Sequence, residues 1–120
     1  MINGIKFVSI PITDQDRALE FYTKKLGFSV FTDQPMGPEQ RWIELKLGRS
    51  DTMIVLFAAD EHKGWIGKPL NIAFRCADVM ATYNELVARG VEFDAPAEKH
   101  EWGWHCSFKD PDGNSFALGD

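Results

Sequence analysis

Residues 14–28 read Asp14-Gln15-Asp16-Arg17-Ala18-Leu19-Glu20-Phe21-Tyr22-Thr23-Lys24-Lys25-Leu26-Gly27-Phe28. Thr13 or Asp14 suits a helix N-cap, because a side-chain oxygen there accepts hydrogen bonds from the amides of the first turn. Apolar residues then recur at helical spacing and predict one buried helix face: they are Ala18, Leu19, Tyr22 and Leu26. Gly27 stops the helix, and the flanking runs 5–12 and 28–31 are typical of strands.

The same pattern restarts in the second half of the chain. Asp78 follows Asp14 by 64 residues, and Gly90 follows Gly27 by 63 residues. Between Asp78 and Gly90, apolar residues at helical spacing predict a second helix: they are Val79, Met80, Tyr83, Leu86 and Val87. A repeat of this length indicates duplication of one supersecondary unit.

Each predicted helix is followed by several short strands rather than one. Turn-forming residues separate these strands, for example at 48–51 and 110–114. We therefore predict an α+β fold with two tandem βαβββ modules in one domain of residues 1–120. Module one covers about residues 4–59, a linker about 60–68, and module two about 69–119; further loops are predicted at 35–38, 62–69 and 96–103.

Composition narrows the functional class. The chain has 120 residues, 44% of them hydrophobic, and a formal net charge of −5, which argues against a broad nucleic-acid surface. Residues 1–6 lack a signal-peptide core and no apolar run approaches a membrane span, so we expect a cytoplasmic protein with no membrane partner. Cys76 and Cys106 have no CxxC spacing and are expected to be reduced.

Several segments together resemble the vicinal oxygen chelate superfamily, which includes glyoxalase I, extradiol dioxygenases, and bleomycin- and fosfomycin-resistance proteins. The segments that carry the resemblance cover most of the chain: Val8-Ser9-Ile10-Pro11-Ile12-Thr13-Asp14, Ala18-Leu19-Glu20-Phe21-Tyr22, Leu26-Gly27-Phe28, Asn71-Ile72-Ala73-Phe74, Leu86-Val87-Ala88-Arg89-Gly90 and Phe108-Lys109-Asp110-Pro111-Asp112-Gly113-Asn114. The resemblance implies the glyoxalase/bleomycin-resistance/dioxygenase-type fold. Fold alone does not fix function.

The resemblance also implies where a metal would be held, since each module of metal-using members supplies two ligands. The corresponding positions are Phe7, Val55, Asn71 and Ala117. Three of these side chains have no lone pair, and an Asn carbonyl oxygen is a weak ligand. We therefore expect no metal at these positions and no cofactor.

Strand alternation extends those positions to a predicted cavity face. The expected ligand-binding residues are Phe7, Trp42, Glu44, Phe57, Asn71, Arg75 and His105. An apolar, aromatic concavity with few polar groups is typical of a small-molecule site. An ion pair between Glu44 and Arg75, or simple exposure, remains the alternative, and a bulge would turn His105 to the other face.

The remaining histidines and tryptophans are less informative. His62 and His100 are expected to be solvated loop residues. Trp65, Trp102 and Trp104 lie in or beside loops and are expected to form a lid, a dimer contact or an anchor into the core.

Three functions stay open at this stage. The first is a metal-free small-molecule-binding protein of the resistance or sequestration type, with an aromatic or amphipathic ligand. The second is a lyase- or dioxygenase-type enzyme with a shifted or metal-free active site, for which His105 and Glu44 are the acid/base candidates. The third is an interaction or regulatory domain. A homodimer is expected by resemblance.

Overall fold

The computed structural model describes residues 1–120, which form two compact units, Met1–Gly64 and Trp65–Asp120. The boundary falls inside the segment 60–68 that the sequence assigns to a linker. Each unit has its own sheet and helix and is described separately. Neither helix has the length and apolar character needed to cross a bilayer.

The first unit follows the predicted βαβββ order. Its elements are β1 (Phe7–Pro11), α1 (Gln15–Glu20) with a π-helical extension (Phe21–Lys25), β2 (Ser29–Pro35), β3 (Arg41–Lys46), β4 (Met53–Phe57) and a 3₁₀ helix (Asp60–Trp65) that reaches the unit boundary. The sheet order is β1-β4-β3-β2, with β1 parallel to β4 and the other neighbours antiparallel.

The first helix begins and packs as its sequence predicts. Asp14 is the N-cap, and its carboxylate accepts a hydrogen bond from the Arg17 amide over 3.1 Å. Ala18 and Tyr22 are fully buried on the core side. Alternate residues of β1, β3 and β4 complete this core, because one face of each strand turns toward the helix: they are Ile10, Ile43, Leu45, Ile54 and Leu56.

The second unit repeats the plan with one additional strand. Its elements are β5 (Pro69–Arg75), α2 (Val79–Ala88), β6 (Glu92–Phe93), β7 (Glu98–His100), β8 (Gly103–Lys109) and β9 (Ser115–Gly119). The path through the sheet is β5-β9-β8-β6, and β7 pairs with β8 as an antiparallel hairpin. Asp78 caps α2 by accepting from the Ala81 amide over 3.0 Å.

Two predicted loops are wrong in detail. The segment 96–103 contains β7, which sequence inspection missed because a three-residue strand carries too few positions for alternation to be visible. The segment 62–69 lies partly in the 3₁₀ helix, and Pro69 already belongs to β5. Val87, assigned to the buried stripe of α2, is 47% exposed.

The Asp110–Asn114 turn is held by its own side chains. One Asp110 oxygen accepts from the amides of Asp112 and Asn114, and the other accepts from the Asn114 side-chain amide. Asn114 is fully buried, and its side-chain carbonyl oxygen accepts a hydrogen bond from the Gly67 amide over 3.0 Å. The motif that carries part of the family resemblance therefore has a structural role: it fixes the backbone just before β5.

Candidate functional site

One face of the first sheet carries the side chains that alternation assigned to the cavity. Phe7 pairs with Met53 and Ser9 pairs with Val55 across the parallel β1–β4 ladder, and Glu44 pairs with Val55 across β3–β4. Paired residues share a face. Ile54 and Leu56 of β4 point to the opposite, helix-covered face, so the predicted strand register holds in this unit, although Val55 is also buried on the cavity face.

Four rings stand in sequence on this face, and we call them the aromatic row: Phe7, Trp42, Phe57 and His62. The Phe7 and Trp42 centroids are 5.5 Å apart, and those of Trp42 and Phe57 are 6.2 Å apart, both edge to face. Such T-shaped contacts fix ring orientation. Phe7, Trp42 and Phe57 are all half-buried, which leaves part of each ring available for contact.

A hydrogen bond orients the central ring of the row. Trp42 Nε1 donates to Glu44 Oε1 over 2.7 Å, between two residues on the same face of β3. Glu44 is half-buried, and Trp42 is its hydrogen-bond partner in the structure. A carboxylate has further lone pairs beyond the one used here. The pair thus joins an aromatic surface to an acceptor that can receive another donor.

His62 completes the row and corrects the expectation of a solvated loop histidine. Its ring lies 4.9 Å from Phe57, edge to face, and the residue is half-buried in the 3₁₀ helix. Its Nδ1 atom is buried and has no hydrogen-bond partner. Sequence reasoning missed His62 because a 3₁₀ helix after β4, rather than an extended loop, brings it back onto the sheet face.

The second unit places its predicted site residues on one face as well. His105 pairs with Gly119 and Ser107 with Ala117, so no bulge reverses His105. Ala73 pairs with Ala117, and Arg75 lies exposed two residues further along β5. His105 is half-buried.

Asn71 has an unusual backbone conformation within β5. The register of β5 on β9 shifts between Pro69 and Ala73, and Asn71 has φ +57°. Left-handed backbone is uncommon for a residue with a side chain, although Asn tolerates it better than most. Asn71 is nevertheless exposed, as Ala73 and Arg75 are, and the residues between them are half-buried.

The β7–β8 hairpin carries a second group of rings. His100 is exposed on β7, and its ring stacks on Trp102 at 4.8 Å with an interplanar angle of 5°. His105 meets the Trp102 ring edge to face at 5.9 Å. His100 Nε2 also lies 3.7 Å from a Glu98 carboxylate oxygen. Trp102 itself is 69% exposed.

The positions that would hold a family-type metal do not fit one. Phe7, Val55 and Ala117 present only carbon to any ion, and Val55 is fully buried. Elsewhere, no three His, Cys, Asp or Glu side chains come together in a way that could hold a metal ion. The chemistry that this chain's residues offer is aromatic contact, hydrogen bonding and charge.

Two successive units, each with one helix against one mixed sheet, define a protein of tandem βαβββ-type modules. The chain belongs to the Glyoxalase/Bleomycin resistance protein/Dioxygenase superfamily, whose family model matches residues 4–118. The expected superfamily and fold class are thereby confirmed.

Relatives of similar length support this membership. Protein YetH of Bacillus subtilis (strain 168) is 38% identical over 118 residues, which cover 98% of each chain. The crystal structure of TnmS3, an antibiotic binding protein from Streptomyces sp. CB03234, is 34% identical with a TM-score of 0.86, covering 98% of this chain and 95% of that one. A superfamily member from Sphaerobacter thermophilus DSM 20745 is 30% identical with a TM-score of 0.88, covering 98% and 97%.

Proposed function

We propose that this protein binds a small aromatic or amphipathic molecule without a metal, as a resistance or sequestration protein does. The observation that carries the proposal is the aromatic row with its oriented Trp42–Glu44 pair. Rings held at fixed angles present apolar area that a planar ligand can cover with little loss of side-chain entropy. A carboxylate beside them selects ligands that carry a donor.

Two further observations support binding over metal-dependent catalysis. The positions equivalent to family metal ligands include Phe7 and Val55, which line the same face of the first sheet as Trp42. A relative with 34% identity, TnmS3, is an antibiotic binding protein. Replacing ligands by apolar groups converts a metal site into an apolar contact surface, which suits recognition of a ring system.

The proposal extends to the second unit and to assembly. We infer that Arg75, Asn71 and His105 provide polar contacts for a ligand, and that the protein works as a cytoplasmic homodimer. Arg75 is exposed and has the planar donor geometry that suits a carboxylate or phosphate group. His105 lies on β8, which pairs with β7 and β9, and its ring contacts that of Trp102.

Binding is tested with N-phenyl-1-naphthylamine, a neutral aromatic probe whose emission rises in apolar sites. The wild-type protein should bind it saturably, equally well before and after dialysis against EDTA. Trp42→Ala should weaken binding by about tenfold or more, since it removes a half-buried ring and the hydrogen bond that holds Glu44. Phe31→Ala is the matched control, because Phe31 is an exposed ring outside the row.

Two results would contradict the proposal. One is a tightly held equivalent of transition metal that is required for binding. The other is probe binding that is the same in Trp42→Ala and in Phe31→Ala, because the aromatic row would then contribute nothing.

A further inference from the structure

His62 has an unusual environment for a histidine outside a catalytic centre. Its Nδ1 atom is buried without a hydrogen-bond partner, while the ring packs its edge against Phe57. A buried polar atom without a partner costs free energy, and native structures contain few of them. The ring packing alone does not explain the residue, because a phenyl ring would make the same contact without that cost.

The position of His62 connects this unpaired nitrogen to the proposed binding face. Phe57 contacts both His62 and Trp42, at 4.9 Å and 6.2 Å between centroids. Trp42 in turn holds the Glu44 carboxylate. The row therefore carries two polar groups with unused hydrogen-bonding capacity: a carboxylate that only accepts, and an imidazole nitrogen that donates or accepts according to its tautomer.

Access to Nδ1 requires only a side-chain motion. His62 as a whole is half-buried on a single 3₁₀ helix, while its Nδ1 atom is buried. Histidine χ2 has a broad, roughly two-fold torsional preference, and such ring rotations are fast. A ligand that offers Nδ1 a partner favours the rotated ring, because it removes the unpaired nitrogen of the free protein.

We propose that His62 is a specificity-determining residue that selects planar aromatic ligands bearing a hydroxyl group. This inference rests on the function proposed above. A hydroxyl group both donates and accepts, so it satisfies Nδ1 in either tautomer, and a second hydroxyl or amine can donate to Glu44. An apolar substituent of the same size leaves the nitrogen unpaired, and the ligand that carries it binds less well.

The test compares 2-naphthol with 2-methylnaphthalene, two probes of nearly equal shape that differ in a hydroxyl and a methyl group. Dissociation constants are measured by equilibrium dialysis. The wild-type protein should prefer 2-naphthol. His62→Phe keeps the ring contact with Phe57 but removes the nitrogen, and the preference should fall by about 3- to 10-fold. His62→Asn places a polar atom of the side-chain amide near the Nδ1 position, and this variant should retain most of the preference for 2-naphthol.

Glu61→Ala is the matched control, because Glu61 is exposed on the same 3₁₀ helix and should leave both constants unchanged. In wild-type protein, the ¹⁵N resonance of His62 Nδ1 should shift with 2-naphthol but not with 2-methylnaphthalene. If both probes bind and the preference is the same in wild type and His62→Phe, this inference is overturned while the proposed function stands. If neither probe binds the wild-type protein, the proposed function fails and this inference fails with it.

Discussion

Gln15 and Arg41 exchange two hydrogen bonds between the first turn of α1 and the start of β3. Gln15 Nε2 donates to the Arg41 carbonyl over 2.7 Å, and the Arg41 amide donates to Gln15 Oε1 over 3.0 Å. The same Nε2 donates to the Leu56 carbonyl over 3.1 Å. The Gln15 side chain is buried and bonds to the backbone of β3 and β4 as a neighbouring strand would. These hydrogen bonds hold the helix against the sheet at the start of β3, the strand that carries Trp42.

Gln15→Leu should therefore destabilise the protein despite its similar volume. It leaves the Arg41 amide and two carbonyl oxygens without their partner, and each such group costs about 1–3 kcal/mol when buried. We expect a loss of about 2–4 kcal/mol in the free energy of unfolding, measured by urea denaturation. Gln34→Leu, an exposed glutamine on β2, is the control. A loss below about 1 kcal/mol for Gln15→Leu would show that water replaces the side chain.

Asp33 should make stability depend on pH. Its carboxylate accepts two hydrogen bonds from the Arg41 guanidinium, each 3.0 Å, and this contact holds the pKa of Asp33 below its usual value. A lowered folded-state pKa stabilises the folded protein above the unfolded value near 3.8, and this contribution disappears as pH falls through the folded value. Both side chains are about 30% exposed, so the contribution is small.

Asp33→Asn should accordingly cost about 0.5–1 kcal/mol at pH 7 and progressively less as the pH falls below 3.8. Unfolding free energies measured across this range test the sign. Asp51→Asn, an exposed aspartate, should show no such difference. A cost for Asp33→Asn that persists at low pH would mean that shape, rather than charge, explains the contact with Arg41.

The two cysteines should differ in reactivity. Burial raises the pKa of the Cys106 thiol to about 11, with a smaller effect from nearby Cys76. Because the thiolate is the reactive form, Cys106 should be inert toward a disulfide reagent at pH 8 in the folded protein. Cys76 is half-buried, and we expect it to react first. Colorimetric titration should give one fast thiol when folded and two in denaturant; Cys76→Ser should abolish the fast one.

His62→Phe should make the free protein more stable, in contrast to its effect on ligand selection. It removes a buried nitrogen without a partner and keeps the edge contact with Phe57. We expect a gain of about 1 kcal/mol, seen as a rise in Tm. His100→Phe serves as the comparison, because His100 is exposed and should change stability by no more than about 0.5 kcal/mol. A lower Tm for His62→Phe would indicate that Nδ1 has a partner in solution.

The periodic parts of the fold were predictable because their signals are local. Both helix caps, both glycine stops and the inward faces of β1, β3 and β4 follow from spacing alone, and the structure places Asp14, Asp78, Ile43 and Ile54 as predicted. Strand β7 and the 3₁₀ helix were not predictable, because three to six residues give no clear period. The left-handed backbone of Asn71 and the shifted register of β5 on β9 were not predictable either, because neither changes the residue pattern of the strand.

Some features of the candidate site were likewise predictable from the sequence, and others were not. Strand alternation, counted from the positions that the family resemblance implied, placed Phe7, Trp42 and Glu44 on one face, since side chains two residues apart on a strand point the same way. It could not supply the Trp42–Glu44 hydrogen bond, whose 2.7 Å distance depends on the rotamers of both side chains. Nor could it indicate that His62 returns to Phe57.

The sequence by itself determined the family, the two-module plan and the loss of metal-ligating side chains, because these depend on residue type and on spacing along the chain. Tertiary structure alone decided which polar atoms have partners. Whether Gln15 is satisfied and His62 Nδ1 is not depends on groups brought together across many residues. Hydrogen bonds require alignment within a few tenths of an ångström, and only the folded backbone provides it.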